Sequence, residues 1–223
     1  MKKITIKNLI DYKRKSDKSK ITFVNNLKKE KKSDGESGGD YWITSLSAIS
    51  NVYKFNKPDL LGEKTEELRS KIEITSDKRV KDQFQRNIDI LEGFKDFDLQ
   101  QIKPKSELIF LKQPKSDSIF DIKGLPIEAK PRFIFSFTGE NDKEIGGIWF
   151  VAKLKGYSKT ELGMFAEMIF RYLNKVHSNN YFVNPKYCIA IDVTDGKETN
   201  YKEIIDGKIS SIIESTIEEI KKN

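Results

Sequence analysis

Residues 106–223 narrow the possible folds, because the spacing of their apolar residues changes from a helical period to a two-residue period. Alternation of this kind is typical of β-strands. The pattern predicts strands over Leu108–Leu111, Ser118–Ile122, Ile127–Phe137 and Ile145–Leu154. The polar segment Gly139–Lys143 separates the last two runs and predicts a hairpin turn. This part of the chain therefore predicts a β-sheet.

A strongly patterned helix follows these strands. Ser158 and Glu161 have the spacing of a capping box, and one apolar stripe continues through Leu162, Phe165, Ala166, Ile169, Leu173 and Val176. The run Tyr187–Val193 is apolar throughout, which predicts a strand in the interior of the sheet. Spaced isoleucines predict a last helix over residues 202–222. The predicted order of the C-terminal half is β-β-β-α-β-α.

The N-terminal half has helical spacing instead. Apolar residues recur at intervals of three and four within residues 4–30, 41–53, 58–73 and 77–94. Residues 33–39 are polar and rich in glycine, which predicts a mobile loop. The sequence therefore predicts an α+β protein. A helical region over residues 1–100 packs on a small mixed β-sheet with flanking helices over residues 105–223.

Aromatic residues concentrate in the predicted sheet and its helix. They include Phe133, Phe135, Phe137, Trp149, Phe150, Phe165 and Phe170. A cluster of this kind can stack on nucleobases, but we expect it to form the core beneath the 158–177 helix. The other face of the sheet then needs a cover. The helices of residues 40–94 or a protein partner can supply one.

Positive charge is concentrated at one end of the sequence. The net charge of the chain is +7, whereas residues 1–32 hold twelve Lys or Arg and three Asp or Glu, a local charge of +9. A basic block attracts polyanions, because contacts with phosphates release counterions. The alternative is a solvated end that only aids solubility. The candidate nucleic-acid-binding residues are Lys13, Arg14, Lys15, Lys18, Lys20, Lys28, Lys29, Lys31 and Lys32.

Composition and motifs argue against several classes of protein. Apolar residues make up 37% of the chain, and no apolar run approaches the ~20 residues that span a bilayer. The one cysteine, Cys188, cannot form an internal disulfide, so we expect a cytoplasmic protein with no membrane association. The one histidine, His177, leaves no zinc cluster and no catalytic set for acyl transfer. The sequence also lacks Walker and dinucleotide-binding loops.

Asp121 and the triplet Glu128-Ala129-Lys130 form the constellation that best indicates chemistry. Two carboxylates on paired strands can hold Mg²⁺ while a lysine polarises a phosphate or a water, and such a set cleaves phosphodiesters. With these residues, the segment 77–194 resembles the PD-(D/E)xK nuclease superfamily. The resemblance implies a core of helix, three strands, helix and strand. It also implies that Asp121, Glu128 and Lys130 are catalytic, with Mg²⁺ as cofactor.

The predicted strands allow a second alignment with that superfamily, which places the acid on the second core strand and the E-x-K triplet on the third. If these strands are Ile127–Phe137 and Ile145–Leu154, the E-x-K position falls on Val151-Ala152-Lys153. This alignment keeps the lysine and lacks the carboxylate. A further alternative is that Glu128 and Lys130 are solvent-facing neighbours on an alternating strand.

We therefore expect a non-catalytic cytoplasmic protein that binds DNA or RNA, or that binds a protein partner in a nucleic-acid-handling complex. The first alternative is a PD-(D/E)xK-like nuclease that uses Mg²⁺; otherwise we expect no metal and no cofactor. The second alternative is a pure interaction or regulatory protein. A basic cleft would favour nucleic-acid binding. Two close carboxylates beside a lysine would favour a nuclease, and a large exposed apolar patch would favour an interaction protein.

Overall fold

The computed structural model describes residues 3–28, 41–112 and 118–222. Within these ranges the helices are α1 (Ile6–Lys13), α2 (Asp17–Lys28), α3 (Ile43–Phe55), α4 (Asp59–Ile74), α5 (Lys78–Gly93), α6 (Lys159–His177), α7 (Tyr201–Ile205) and α8 (Ile213–Lys222). The strands are β1 (Ile4–Thr5), β2 (Ile109–Phe110), β3 (Ile119–Ile122), β4 (Leu125–Glu128), β5 (Phe133–Gly139), β6 (Asp142–Val151), β7 (Phe182–Asp192) and β8 (Lys197–Asn200). The predicted mobile loop 33–39 lies outside the described residues. Among the described helices, none is long and apolar enough to cross a membrane.

The strands form two mixed sheets. A five-stranded sheet has the order β2-β5-β6-β7-β8, and a three-stranded sheet has the order β1-β4-β3. In the larger sheet β6 and β7 are parallel and are joined by α6, whereas the other neighbours are antiparallel. In the smaller sheet β1 runs parallel to β4 and β3 runs antiparallel to it. The predicted α+β fold with a mixed sheet is confirmed.

The helices α3, α4 and α5 cover one face of the five-stranded sheet. The ring of Tyr53, on α3, lies 6.2 Å from that of Phe135 and 5.7 Å from that of Phe150. Phe137 belongs to the same buried cluster. The prediction that the N-terminal helices cover a face of the sheet is thus confirmed. The expectation that the aromatic residues lie beneath the 158–177 helix is wrong for four of them, which pack in the cluster formed with α3–α5: Phe133, Phe135, Phe137 and Phe150.

Helix α6 covers the opposite face of this sheet. The backbone N–H of Glu161 donates to Ser158 Oγ at 3.3 Å, and the N–H of Ser158 donates to the Glu161 carboxylate at 2.8 Å, so the predicted capping box is confirmed. Phe165 and Ile169 are fully buried in the core below α6. The helix approaches the sheet closely at Gly147, where a Cβ atom would lie 2.8 Å from Ile169 Cγ2.

Residues 3–28 pack into the same core as α6. Strand β1 pairs with β4, and Ile4 lies opposite Ile127. Ile6, Leu9 and Ile10 are fully buried in a cluster that also contains side chains of α6 and α8. Over this range, the basic end of the chain is a folded part of the core with its lysines on the outer side.

Two predicted elements are interrupted in the structure. The predicted strand Ile127–Phe137 divides into β4 and β5, which belong to different sheets. Pro131 lies at the break, and it has no N–H group to donate within a sheet. The predicted helix 202–222 divides into α7 and α8. Gly207 lies between them with a left-handed φ of 72°, a conformation that ends helices.

We expect Phe165→Ala to lower the free energy of unfolding by about 3–5 kcal/mol, because it removes a buried ring between α6 and the sheet. Phe182→Ala is the matched control, since Phe182 is 48% exposed and its removal leaves less of a cavity. Denaturant titration of both variants measures the difference. Equal losses of stability would contradict the packing of α6.

Candidate functional site

Three of the predicted nucleic-acid-binding residues form ion pairs with the C-terminal half. Lys13 Nζ lies 3.2 Å and Lys20 Nζ lies 2.5 Å from the carboxylate of Glu219, on α8. Arg14 Nε lies 2.6 Å from Glu161 Oε1, at the start of α6. These contacts hold α1 and α2 against α6 and α8. They also balance part of the positive charge that the sequence gathers at this end.

The other predicted nucleic-acid-binding residues have different surroundings. The ammonium of Lys15 lies 5.9 Å from the ring centroid of Phe23. Lys18 and Lys28 are exposed on α2. The remaining three, Lys29, Lys31 and Lys32, lie outside the described residues.

Asp121 and Glu128 lie on the hairpin of β3 and β4. Asp121 is opposite Pro126, and Glu128 is opposite Ile119, so the two carboxylates share one face but are displaced by two residues along the strands. Asp121 Oδ1 accepts a hydrogen bond from the backbone N–H of Gly124 at 2.8 Å, within its own turn. The predicted acid of this set therefore caps the turn of the hairpin.

Glu128 and Lys130, of the predicted triplet, form an ion pair with each other. Glu128 Oε1 lies 2.8 Å from Lys130 Nζ and 2.7 Å from Lys3 Nζ. Burial opposes ionisation of Glu128, but hydrogen bonds from Lys130 and Lys3 outweigh it and lower the pKa of this carboxyl. Across the described residues, no three His, Cys, Asp or Glu side chains are grouped so that they could hold a metal ion.

Lys153, the lysine of the second alignment, forms an ion pair with Asp11 on α1. Sequence reasoning missed Asp11. A local signal was present, because Lys7, Asp11 and Arg14 are spaced at four and three residues and share one side of α1. The partner Lys153, which lies just after β6, could not be read from the sequence, since the two residues are 142 positions apart.

A cavity of about 410 Å³ lies between α3, the β4–β5 connection and the C-terminal part of β6. The register of β5 with β6 ends at the pair Phe133–Ile148, and the chain before Phe133 turns away at Pro131. The edge of β6 beyond Ile148 is therefore open toward this cavity, which we call the Lys130 cleft. Its lining includes Lys7, Ile43, Ser47, Lys130, Arg132 and Trp149.

The Lys130 cleft is strongly basic. Its lining contributes the cations Lys7, Lys130 and Arg132, and no Asp or Glu among the described residues lines it. Lys3 and Glu128 lie beside Lys130, so cations outnumber carboxylates among the described residues in and beside the cleft. A site with this charge favours anions over cations and neutral molecules.

Trp149 supplies an aromatic wall of the Lys130 cleft. Its ring packs edge-on against Phe165, with a centroid distance of 5.1 Å. Because Phe165 is fixed in the core below α6, the indole is held in place before any ligand arrives. The cleft therefore combines positioned cations with a positioned aromatic ring.

We expect the contact between α2 and α8 to depend on pH. The hydrogen bond from Lys20 is the main cause that lowers the pKa of Glu219 below its ordinary value of 4.5. A carboxyl with a lowered pKa stabilises the fold while it is ionised, and this stabilisation is lost as the pH falls through the folded-state pKa. Glu219→Gln should therefore lower the thermal midpoint at about pH 7, and this difference should disappear as the pH falls below the folded-state pKa of Glu219. A difference that persists in acid would contradict the ion pair.

No protein-family model matches this chain, and neither a curated protein nor a solved structure matches it. The resemblance of residues 77–194 to the PD-(D/E)xK nucleases therefore stays a prediction. What the Lys130 cleft binds has to be inferred from its own side chains.

Proposed function

We propose that this chain is a non-catalytic cytoplasmic protein that binds nucleic acid, alone or within a nucleic-acid-handling complex, through the Lys130 cleft. The observation that carries the proposal is the lining of the cleft. Lys7, Lys130 and Arg132 converge on one cavity beside the ring of Trp149, and no carboxylate among the described residues lines it. Phosphate groups are the ligands that such a set of cations binds best.

Each type of side chain in the cleft has a role in this proposal. The ammonium groups of Lys7 and Lys130 act as point charges, and the planar guanidinium of Arg132 can donate two parallel hydrogen bonds to one phosphate. The hydroxyl of Ser47 adds a neutral donor. The indole of Trp149 offers a surface on which a base can pack, a contact that tolerates any sequence.

The ion pairs of α1 and α2 favour the cleft over the basic helices as the site. A phosphate that approached Lys13, Arg14 or Lys20 would have to compete with Glu219 or Glu161. The lining of the Lys130 cleft, by contrast, contains no Asp or Glu among the described residues. Repulsion of a phosphate is therefore weaker inside the cleft than beside Glu219 or Glu161.

The cytoplasmic part of the proposal is supported by Cys188. It is the one cysteine of the chain and is fully buried in β7, where burial raises the pKa of its thiol. A buried thiol of this kind behaves as a small apolar side chain. This use of cysteine is the usual one in proteins of reducing compartments.

We expect the double variant Lys7→Glu/Lys130→Glu to bind DNA and RNA oligonucleotides much more weakly than the parent. Each lost phosphate contact should reduce the slope of log K against log salt by about 0.7 for single strands and about 0.9 for duplex DNA. Loss of two contacts should therefore flatten the slope by about 1.4 to 1.8. Fluorescence anisotropy over a salt series measures both the affinity and the slope.

The matched control is Lys18→Glu/Lys28→Glu, which changes the net charge equally at two exposed lysines of the basic end. Deletion of residues 1–32 is a poor control, because it removes the buried side chains of Ile6, Leu9 and Ile10. Both double variants should keep the thermal midpoint of the parent within a few degrees. If they weaken binding equally, the cleft is not the site.

We expect no robust phosphodiester cleavage by the isolated protein. Asp121 is bound to its own turn and Glu128 to two lysines, so the two carboxylates are not placed to share one Mg²⁺ ion. The test is incubation with single- and double-stranded DNA and RNA in Mg²⁺ and in Mn²⁺. Turnover that disappears in both Asp121→Ala and Glu128→Ala would instead support the nuclease alternative.

A further inference from the structure

A second cavity, also of about 410 Å³, adjoins the Lys130 cleft. The two cavities meet at neighbouring residues of the chain on one wall, where Trp42 lines the second cavity and Ile43 lines the Lys130 cleft. On the other wall Phe150 lines the Lys130 cleft and Lys153 the second cavity. These two residues are three positions apart in the chain. The two cavities are therefore consecutive along one surface path.

The surface at the junction of the two cavities is apolar. Ile43 is 60% exposed on the α3 side, and Leu154 is 58% exposed on the β6 side. Trp42 continues this surface into the second cavity. Exposed aliphatic and aromatic side chains between two polar sites are suited to the faces of bases rather than to phosphates.

The second cavity is much less basic than the Lys130 cleft. Arg86, Lys153 and Lys155 line it together with Asp89 and Asp195. Lys153 is paired with Asp11, and Asp195 lies 2.5 Å from Lys197. The Lys130 cleft thus supplies most of the charge along the path, and the junction and second cavity supply mainly apolar and aromatic contact.

We infer that the ligand of the Lys130 cleft is a single-stranded nucleic acid, which continues from the cleft over Ile43 and Leu154 into the second cavity. The inference rests on the proposed function and names its substrate class. A single strand exposes its phosphates and the faces of its bases together, so one short segment can satisfy both the cations and the apolar junction. A duplex keeps its bases stacked inside, where Trp149 and Trp42 could not reach them.

The test is the variant Leu154→Asp, probed with an eight-residue oligothymidylate and with thymidine 5′-phosphate. Leu154 lines only the second of the two cavities. The variant should therefore lower the affinity for the octamer at least about fivefold, roughly the contribution of one stacked base. Its affinity for the mononucleotide should not change. Ile74→Asp is the control, because Ile74 is 85% exposed and lines neither cavity. An octamer duplex should bind at least about tenfold more weakly than the single strand.

The outcomes separate this inference from the proposed function. If the duplex binds as well as the single strand, or if Leu154→Asp and Ile74→Asp bind the octamer equally, the single-strand path is wrong. If either result is found and Lys7→Glu/Lys130→Glu still abolishes binding, the proposed nucleic-acid function stands without the single-strand path. If neither single strand nor duplex binds in a salt-dependent way, both proposals fail.

Discussion

The five-stranded sheet depends on cover over both of its faces. Between Ile145 and Val151 every residue of β6 except Trp149 is buried, and the last five residues of β7 are buried as well. Strands of this kind are stable only when helices pack on each side. Helices α3–α5, which precede the sheet in the sequence, cover one face, and α6, which joins β6 to β7, covers the other. The Lys130 cleft lies where the cover ends, at the open edge of β6.

The parts of the fold that were predicted correctly depend on local patterns. The start of α6 follows from Ser158 and Glu161, three residues apart, and its apolar stripe shows which side is buried. The break between β4 and β5 was missed because apolar alternation continues across it. Which sheet a strand joins is decided by distant partners, such as Ile4 for β4 and Ile148 for β5.

The sequence showed that the chain has a basic segment but not where the Lys130 cleft forms, for a related reason. A run of lysines shows how much charge a segment carries but not which lysines meet carboxylates after folding. Glu219 and Glu161 lie far along the chain and form ion pairs with Lys13, Lys20 and Arg14. Conversely, the sequence pattern indicated Lys130 only as part of the Glu128-Ala129-Lys130 triplet. It did not show that folding brings Lys7 and Arg132 to the same cavity. Local charge density therefore could not locate the Lys130 cleft.

The pairing of the N-terminal elements also constrains the order in which the chain can fold. Lys20 and Glu219 are 199 residues apart, and β1 reaches its partner β4 across more than a hundred residues. Contacts this distant in sequence slow folding, because loop closure must precede them. During synthesis, residues 3–28 emerge early and must wait for α8 before their apolar side is fully covered. A nascent chain therefore exposes Ile6, Leu9 and Ile10 until α8 has been made, and apolar surface exposed for this long is prone to aggregate.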